Sequence, residues 1–111
     1  MTLEKLIIII STGDKEKAMT ALMYSRNVLK NKRFEDIKVV YFGPIEKLMT
    51  TDPEVADAAI EVSSISESFA CKAISDKQMI SEKIAGMGVK IEYVGKVISD
   101  YINAGYVPMV W

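Results

Sequence analysis

Leu6-Ile7-Ile8-Ile9-Ile10 is an unbroken aliphatic run, β-branched at four of its five positions. A strand with one wet face alternates apolar and polar side chains. This one does not, so both of its faces must be covered. That requirement points to the interior of a parallel sheet with helices on either side. Ser11-Thr12-Gly13-Asp14 follows with turn and helix-cap residues. The spacing of Ala18, Leu22, Ser25 and Leu29, widened by Ala21 and Val28, then predicts an amphipathic helix to about Asn31.

The same rhythm continues along the chain. Ile37 to Phe42 reads as a second strand, stopped by Gly43-Pro44, with a short helical turn over Pro44 to Met49. Asp52-Pro53-Glu54 is a helix start, with Asp as cap, Pro at the first helical position and Glu in the first turn. Val55, Ala59 and Val62 recur at helical spacing until Ser63-Ser64-Ile65-Ser66. Ser68 to Cys71 is weak by propensity, but the alternation of strands and helices demands a strand there. A polar helical segment leads to Gly86-Met87-Gly88. Val89 to Val94 alternates with period two and predicts a fourth strand, and Lys96 to Asn103 a short helix with Gly105 as its terminator. Tyr106 to Val110 is a last strand, and Pro108 places it at a sheet edge. The expectation is one α/β domain over residues 1–111, a mostly parallel five-stranded sheet covered on both faces.

Composition narrows the chemistry. Fourteen basic and fifteen acidic residues leave a net charge of -1, which offers no field for DNA or an anionic membrane. The basic cluster Lys30-Asn31-Lys32-Arg33 reads as a helix C-terminus favoured by the helix dipole. One cysteine cannot form an internal disulfide, and without histidine a zinc site lacks ligands. The longest apolar run is far too short to cross a membrane, and the charged Asp14-Lys15-Glu16-Lys17 after it does not fit a signal peptide. These features read as a cytoplasmic protein with no metal and no cofactor. Phe34, Tyr41, Tyr106 and Trp111 lie near element ends and suggest spare apolar surface, hence self-association.

Ligands of such sheets gather beyond the carboxyl ends of the strands. Three loops converge there: Ser11 to Asp14, Gly43 to Leu48, and Cys71 to Ser75. The first lacks the glycine and lysine spacing of a phosphate loop and reads as turn plus cap. Gly43-Pro44 reads as a strand terminator. Cys71 is the one nucleophile of note. Phe69-Ala70 before it favours an inert core thiol. Its place at a strand end, with Lys72 beside it and a helix to follow, favours a stabilised thiolate. With no histidine base available, thiolate chemistry such as disulfide or persulfide exchange is what the residues allow. The helix start decides between the two. A capping box over Ser75-x-x-Gln78, with Ile74 and Met79 as staple, leaves Cys71 outside the helix, whereas a start at Cys71-Lys72 puts the sulfur at the helix N-terminus.

The order and spacing of these pieces resemble the DsrE/DsrF-like family of small sulfur-relay-related proteins. The resemblance runs nearly end to end. It is carried by the opening apolar strand and long helix, the strand ending in Gly43-Pro44, the strand ending in Ala70-Cys71, Ile80-Ser81-Glu82, the strand from Gly88, and the closing helix-Gly-strand. Met79 departs from it, standing where many relatives have glycine. The resemblance implies a three-layer α/β/α fold, assembly into trimers or hexamers, and a Cys71 that accepts a persulfide from a donor protein and passes it to an acceptor. In that scheme Lys72 and the amides of Ala73 and Ile74 stabilise the thiolate, while Thr12, Gly13 and Gly43 line the pocket. Two other functions stay open: a binding module for a small anion or nucleotide, and a structural subunit with an idle Cys71.

Overall fold

The computed structural model describes residues 2–111. The strands are β1 (Lys5–Ile10), β2 (Asp36–Tyr41), β3 (Glu67–Cys71), β4 (Lys90–Glu92) and β5 (Tyr106–Val110). The helices are α1 (Lys15–Lys30), α2 (Ile45–Thr51), α3 (Pro53–Ile65), α4 (Lys72–Lys77), α5 (Ser81–Ala85) and α6 (Val94–Asn103). The sheet order is β4-β3-β2-β1-β5 with every pairing parallel. This is the expected α/β/α sandwich, and β1 lies inside the sheet between β2 and β5.

The aliphatic run of β1 is buried from Leu6 through Ile10. Successive side chains face opposite sides, so Leu6, Ile8 and Ile10 join one core while Ile7 and Ile9 join the other. The first core takes Ala18, Ala21 and Leu22 from α1, Val55, Ala59 and Val62 from α3, and Ile84 from α5. The second is smaller. Val40, Phe69 and Cys71 of the sheet meet Val94, Val97, Ile98 and Tyr101 of α6. Each fully buried isoleucine contributes about 1.5–3 kcal/mol, so β1 anchors both layers.

At its amino end the second face is finished by charge and aromatic rings rather than by a second helix. Tyr101 donates to Glu67 (3.1 Å), Tyr106 donates to Asp36, and Lys38 and Lys90 pair with Asp36 and Glu67 at 3.2 Å each. Lys5, Lys38 and Lys90 lie over the rings of Tyr106, Tyr101 and Phe69.

Four expectations shift. The helical segment after Cys71 is two short helices, broken at Met79, whose φ of 57° is left-handed. β4 has only three residues, because its partner β3 ends at Cys71 and leaves later residues nothing to pair with. Val94, read as strand, instead begins α6. Tyr41 is fully buried, and Phe34, Tyr106 and Trp111 are half-buried, so these aromatics do not form the spare apolar surface. That surface lies instead at residues such as Met23, Met79, Tyr93 and Val110.

Other signals hold. Asp52 caps α3 by accepting from Glu54 and Val55, and Gly105 turns the chain after α6 with φ 96°. β5 is an edge strand. Trp111 exchanges both of its backbone groups with the β1 side, from Ser11 N–H and to Ile9 C=O at 2.8 Å each. By alternation Pro108 faces outward, where no donor is needed.

Met79 is 89% exposed, so no packing offsets its backbone conformation. A non-glycine residue in this region costs about 1–2 kcal/mol, against about 0.5–1 kcal/mol of extra chain entropy for glycine. Met79→Gly is therefore expected to stabilise the fold by about 0.5–1 kcal/mol in urea melts; a loss of stability would mean the Met79 side chain makes contacts of its own.

Candidate functional site

The carboxyl edge of the sheet is built from the turns that leave β1, β2 and β3. After β1, the Asp14 side chain accepts from the Lys17 amide at 2.9 Å and the Thr12 hydroxyl accepts from the Asp14 amide at 3.0 Å. The loop's side chains thus take one amide of the loop and one of the first turn of α1, which is the turn-plus-cap arrangement. Gly13 lies against Pro44, and a Cβ there would stand 2.9 Å from the proline Cβ. At Gly43 the fit is closer still: φ is 132°, and a Cβ would meet the Ser11 hydroxyl at 2.5 Å. Glycine is required at this crossing of the first two turns.

The β3 turn answers the question of where the helix starts. α4 begins at Lys72 with Cys71 as its N-cap residue. Ser75 lies inside α4, buried, and its hydroxyl bonds the Lys72 carbonyl (3.3 Å) and the Ser81 hydroxyl (2.7 Å) instead of capping. Cys71 also sits at the topological switch of the sheet. The connection from β3 to β4 packs Ile84 in the first core, whereas α6, leaving β4, covers the second. Cys71 pairs with Glu92 across those two strands.

Exposure argues the other way. Cys71 is 6% exposed and belongs to the apolar cluster of Ile7, Ile9, Val40, Phe69 and Val94, beside Ile74. The Lys72 ammonium is 2.9 Å from Asp76, which raises its pKa and engages its charge. Ala73 is exposed on α4, on the first turn of the helix.

Ile74 and Gly43, two residues singled out in the sequence, border the same groove. It has a volume of about 580 Å³, lies between α4 and the turn into α2, and is also lined by Pro44, Lys47, Lys77 and Gln78. Thr12, Gly13, Lys72 and Ala73 are not on its wall. Among the described residues neither Lys47 nor Lys77 has a carboxylate within ion-pair distance.

Sequence reasoning missed Glu46. Its side chain is fully buried at the start of α2. Oε2 accepts from the Gly43 amide at 3.3 Å, while Oε1 has no partner. Burial pushes its pKa up to about 7, against the smaller opposing effect of the Gly43 hydrogen bond. The signal was present as Gly43-x-x-Glu46, a spacing at which a glutamate in the first turn of α2 reaches back to the amide of the residue before the Pro44 cap. Among the described residues no group of histidine, cysteine and carboxylates could hold a metal, and no helix is long and apolar enough to cross a membrane.

No family model matches the chain, and no curated protein does. Among solved structures, the conserved protein of unknown function BT1422 from Bacteroides thetaiotaomicron superposes with a TM-score of 0.90 at 21% identity, over 97% of this chain and 95% of that one. The chain therefore shares its fold with that protein.

Proposed function

We propose that this chain is a cytoplasmic binding module for a small anion or nucleotide, held in the groove between α4 and the β2–α2 turn. The observation that carries the reading is the pair of lysines, Lys47 and Lys77, without acidic partners among the described residues, on a groove whose other walls include Pro44, Ile74 and the backbone of Gly43. An apolar wall with a few convergent polar groups is the usual make-up of a small-ligand site. Two free ammonium groups select for negative charge, and the position beyond the strand ends is where such sheets bind ligands. Cys71 is then a packed neighbour of Ile74 rather than a reactive group.

The test is an NMR titration with sulfate and, separately, with AMP, read at the Gly43 amide. Millimolar or tighter binding is expected for at least one probe, weakened at least about tenfold by Lys47→Glu with Lys77→Glu. No shift at Gly43 with either probe, or equal binding by the double variant, overturns the reading.

One observation favours a second reading, a sulfur carrier: Cys71 is the N-cap residue of α4. Its thiolate would attack the outer sulfur of a sulfane donor, releasing the donor thiolate and leaving a persulfide on Cys71. Intact mass after incubation with polysulfide would rise by one sulfur in the wild type and not in Cys71→Ala. A wild type that gains no sulfur ends this reading.

A further inference from the structure

Away from the carboxyl edge, the outward face of α1 and α3 carries a groove of about 360 Å³. Leu22, Met19, Met23 and Ala58 supply its apolar lining, with Arg26 and Glu61 at its sides. Leu22 is buried in the core beneath, whereas Met23 is 53% exposed. The two helices beside the groove are oppositely charged. α1 carries Lys15, Lys17, Arg26 and Lys30 against Glu16 alone; α3 carries Glu54, Asp57 and Glu61 and no base. The ion pairs between them, Lys15–Glu54 and Lys30–Glu61 at 3.1 Å and Arg26–Glu61 at 3.7 Å, are all solvent-exposed.

We propose that this face is the contact between two copies of the chain in a symmetric dimer. A basic helix beside an acidic one, with an apolar seam between, is complementary to itself. A twofold axis running along the groove lays α1 of each copy over α3 of the other, so that positive meets negative on both sides of the axis. The ion pairs within each copy can then be shared across the contact instead of being broken. In isolation such exposed pairs contribute little to the fold, which leaves them free to exchange partners. Met19 and Met23 suit the seam, because unbranched thioether side chains repack readily against a copy of themselves. The net charge of -1 adds almost no repulsion between copies.

Sedimentation equilibrium from about 1 to about 200 µM tests this. The wild type is expected to pass from monomer to dimer within that range, with weaker association at high salt. Met23→Glu, on an exposed side chain, should remain monomeric with an unchanged circular dichroism spectrum. Glu61→Lys should weaken the dimer at least about tenfold, and adding Lys30→Glu should restore most of the loss. Val110→Lys, an exposed change on β5, should leave association as it is. A wild type that stays monomeric throughout, or a dimer indifferent to both Met23→Glu and Glu61→Lys, overturns the proposal. So does a dimer that Val110→Lys disrupts.

Discussion

Glu46→Gln is expected to stabilise the protein at pH 8 and not at pH 4.5. In the fold, burial raises this carboxyl from 4.5 to about 7. Below about pH 4.5 the group is protonated whether the chain is folded or not, and its ionisation costs nothing. As the pH rises through 4.5 towards 7 the unfolded chain ionises while the folded one resists, so stability falls; above 7 the loss is complete. Each pKa unit corresponds to 1.36 kcal/mol, which sets an upper bound of about 3 kcal/mol on the loss. Glutamine cannot ionise, and its amide oxygen can still accept from the Gly43 amide. Urea melts across this pH range should show the variant level with the wild type, or slightly below it, at pH 4.5, and ahead of it at pH 8. A difference that does not change with pH would mean that the Glu46 carboxyl ionises in the fold as it does in the unfolded chain.

The second large effect concerns Cys71. In the folded protein, alkylation by iodoacetamide at neutral pH should be at least about 100-fold slower than in the urea-unfolded chain, since the sulfur must wait for a local opening. The same burial predicts a split between two small substitutions. Cys71→Ala removes one buried atom and should cost about 1 kcal/mol, whereas Cys71→Ser places a hydroxyl among Ile7, Val40 and Val94 and should cost about 2 kcal/mol. Labelling within about tenfold of the unfolded rate, with both substitutions harmless, would mean that α6 leaves the thiol open and would favour the sulfur-carrier reading.

Much of the fold was legible because its signals are local. The β1 run declares a strand buried on both faces, Asp52-Pro53 declares a helix start, and Pro108 declares an edge. Each depends on neighbours in the sequence or on the chemistry of one residue. The position of Cys71 in its strand was legible only from the alternation of strands and helices along the chain, since Ser68 to Cys71 is weak by propensity, and its accessibility was not legible at all. That depends on α6, which starts more than twenty positions later and folds back across the second face. The break at Met79 escaped because methionine carries no sign of a left-handed backbone. Glu46 escaped for a different reason. A glutamate at the start of a helix ordinarily faces water, and the Gly43-x-x-Glu46 spacing allows a contact with the Gly43 amide without revealing that α2 turns the side chain inward.

The partnership of β1 with β5 has a consequence for how the molecule assembles. The most apolar strand of the sheet has one neighbour supplied early, by β2, and the other supplied by β5, the last of the five strands in chain order. During synthesis β1 through β4 can come together while one side of β1 still presents unpaired backbone beside a row of isoleucines, the kind of edge on which nascent chains stick to one another. β5 is thus a closure, added last and ending the sheet outward in a residue that cannot donate. Its arrival converts the most adhesive edge of the growing chain into one that a neighbouring strand cannot readily extend.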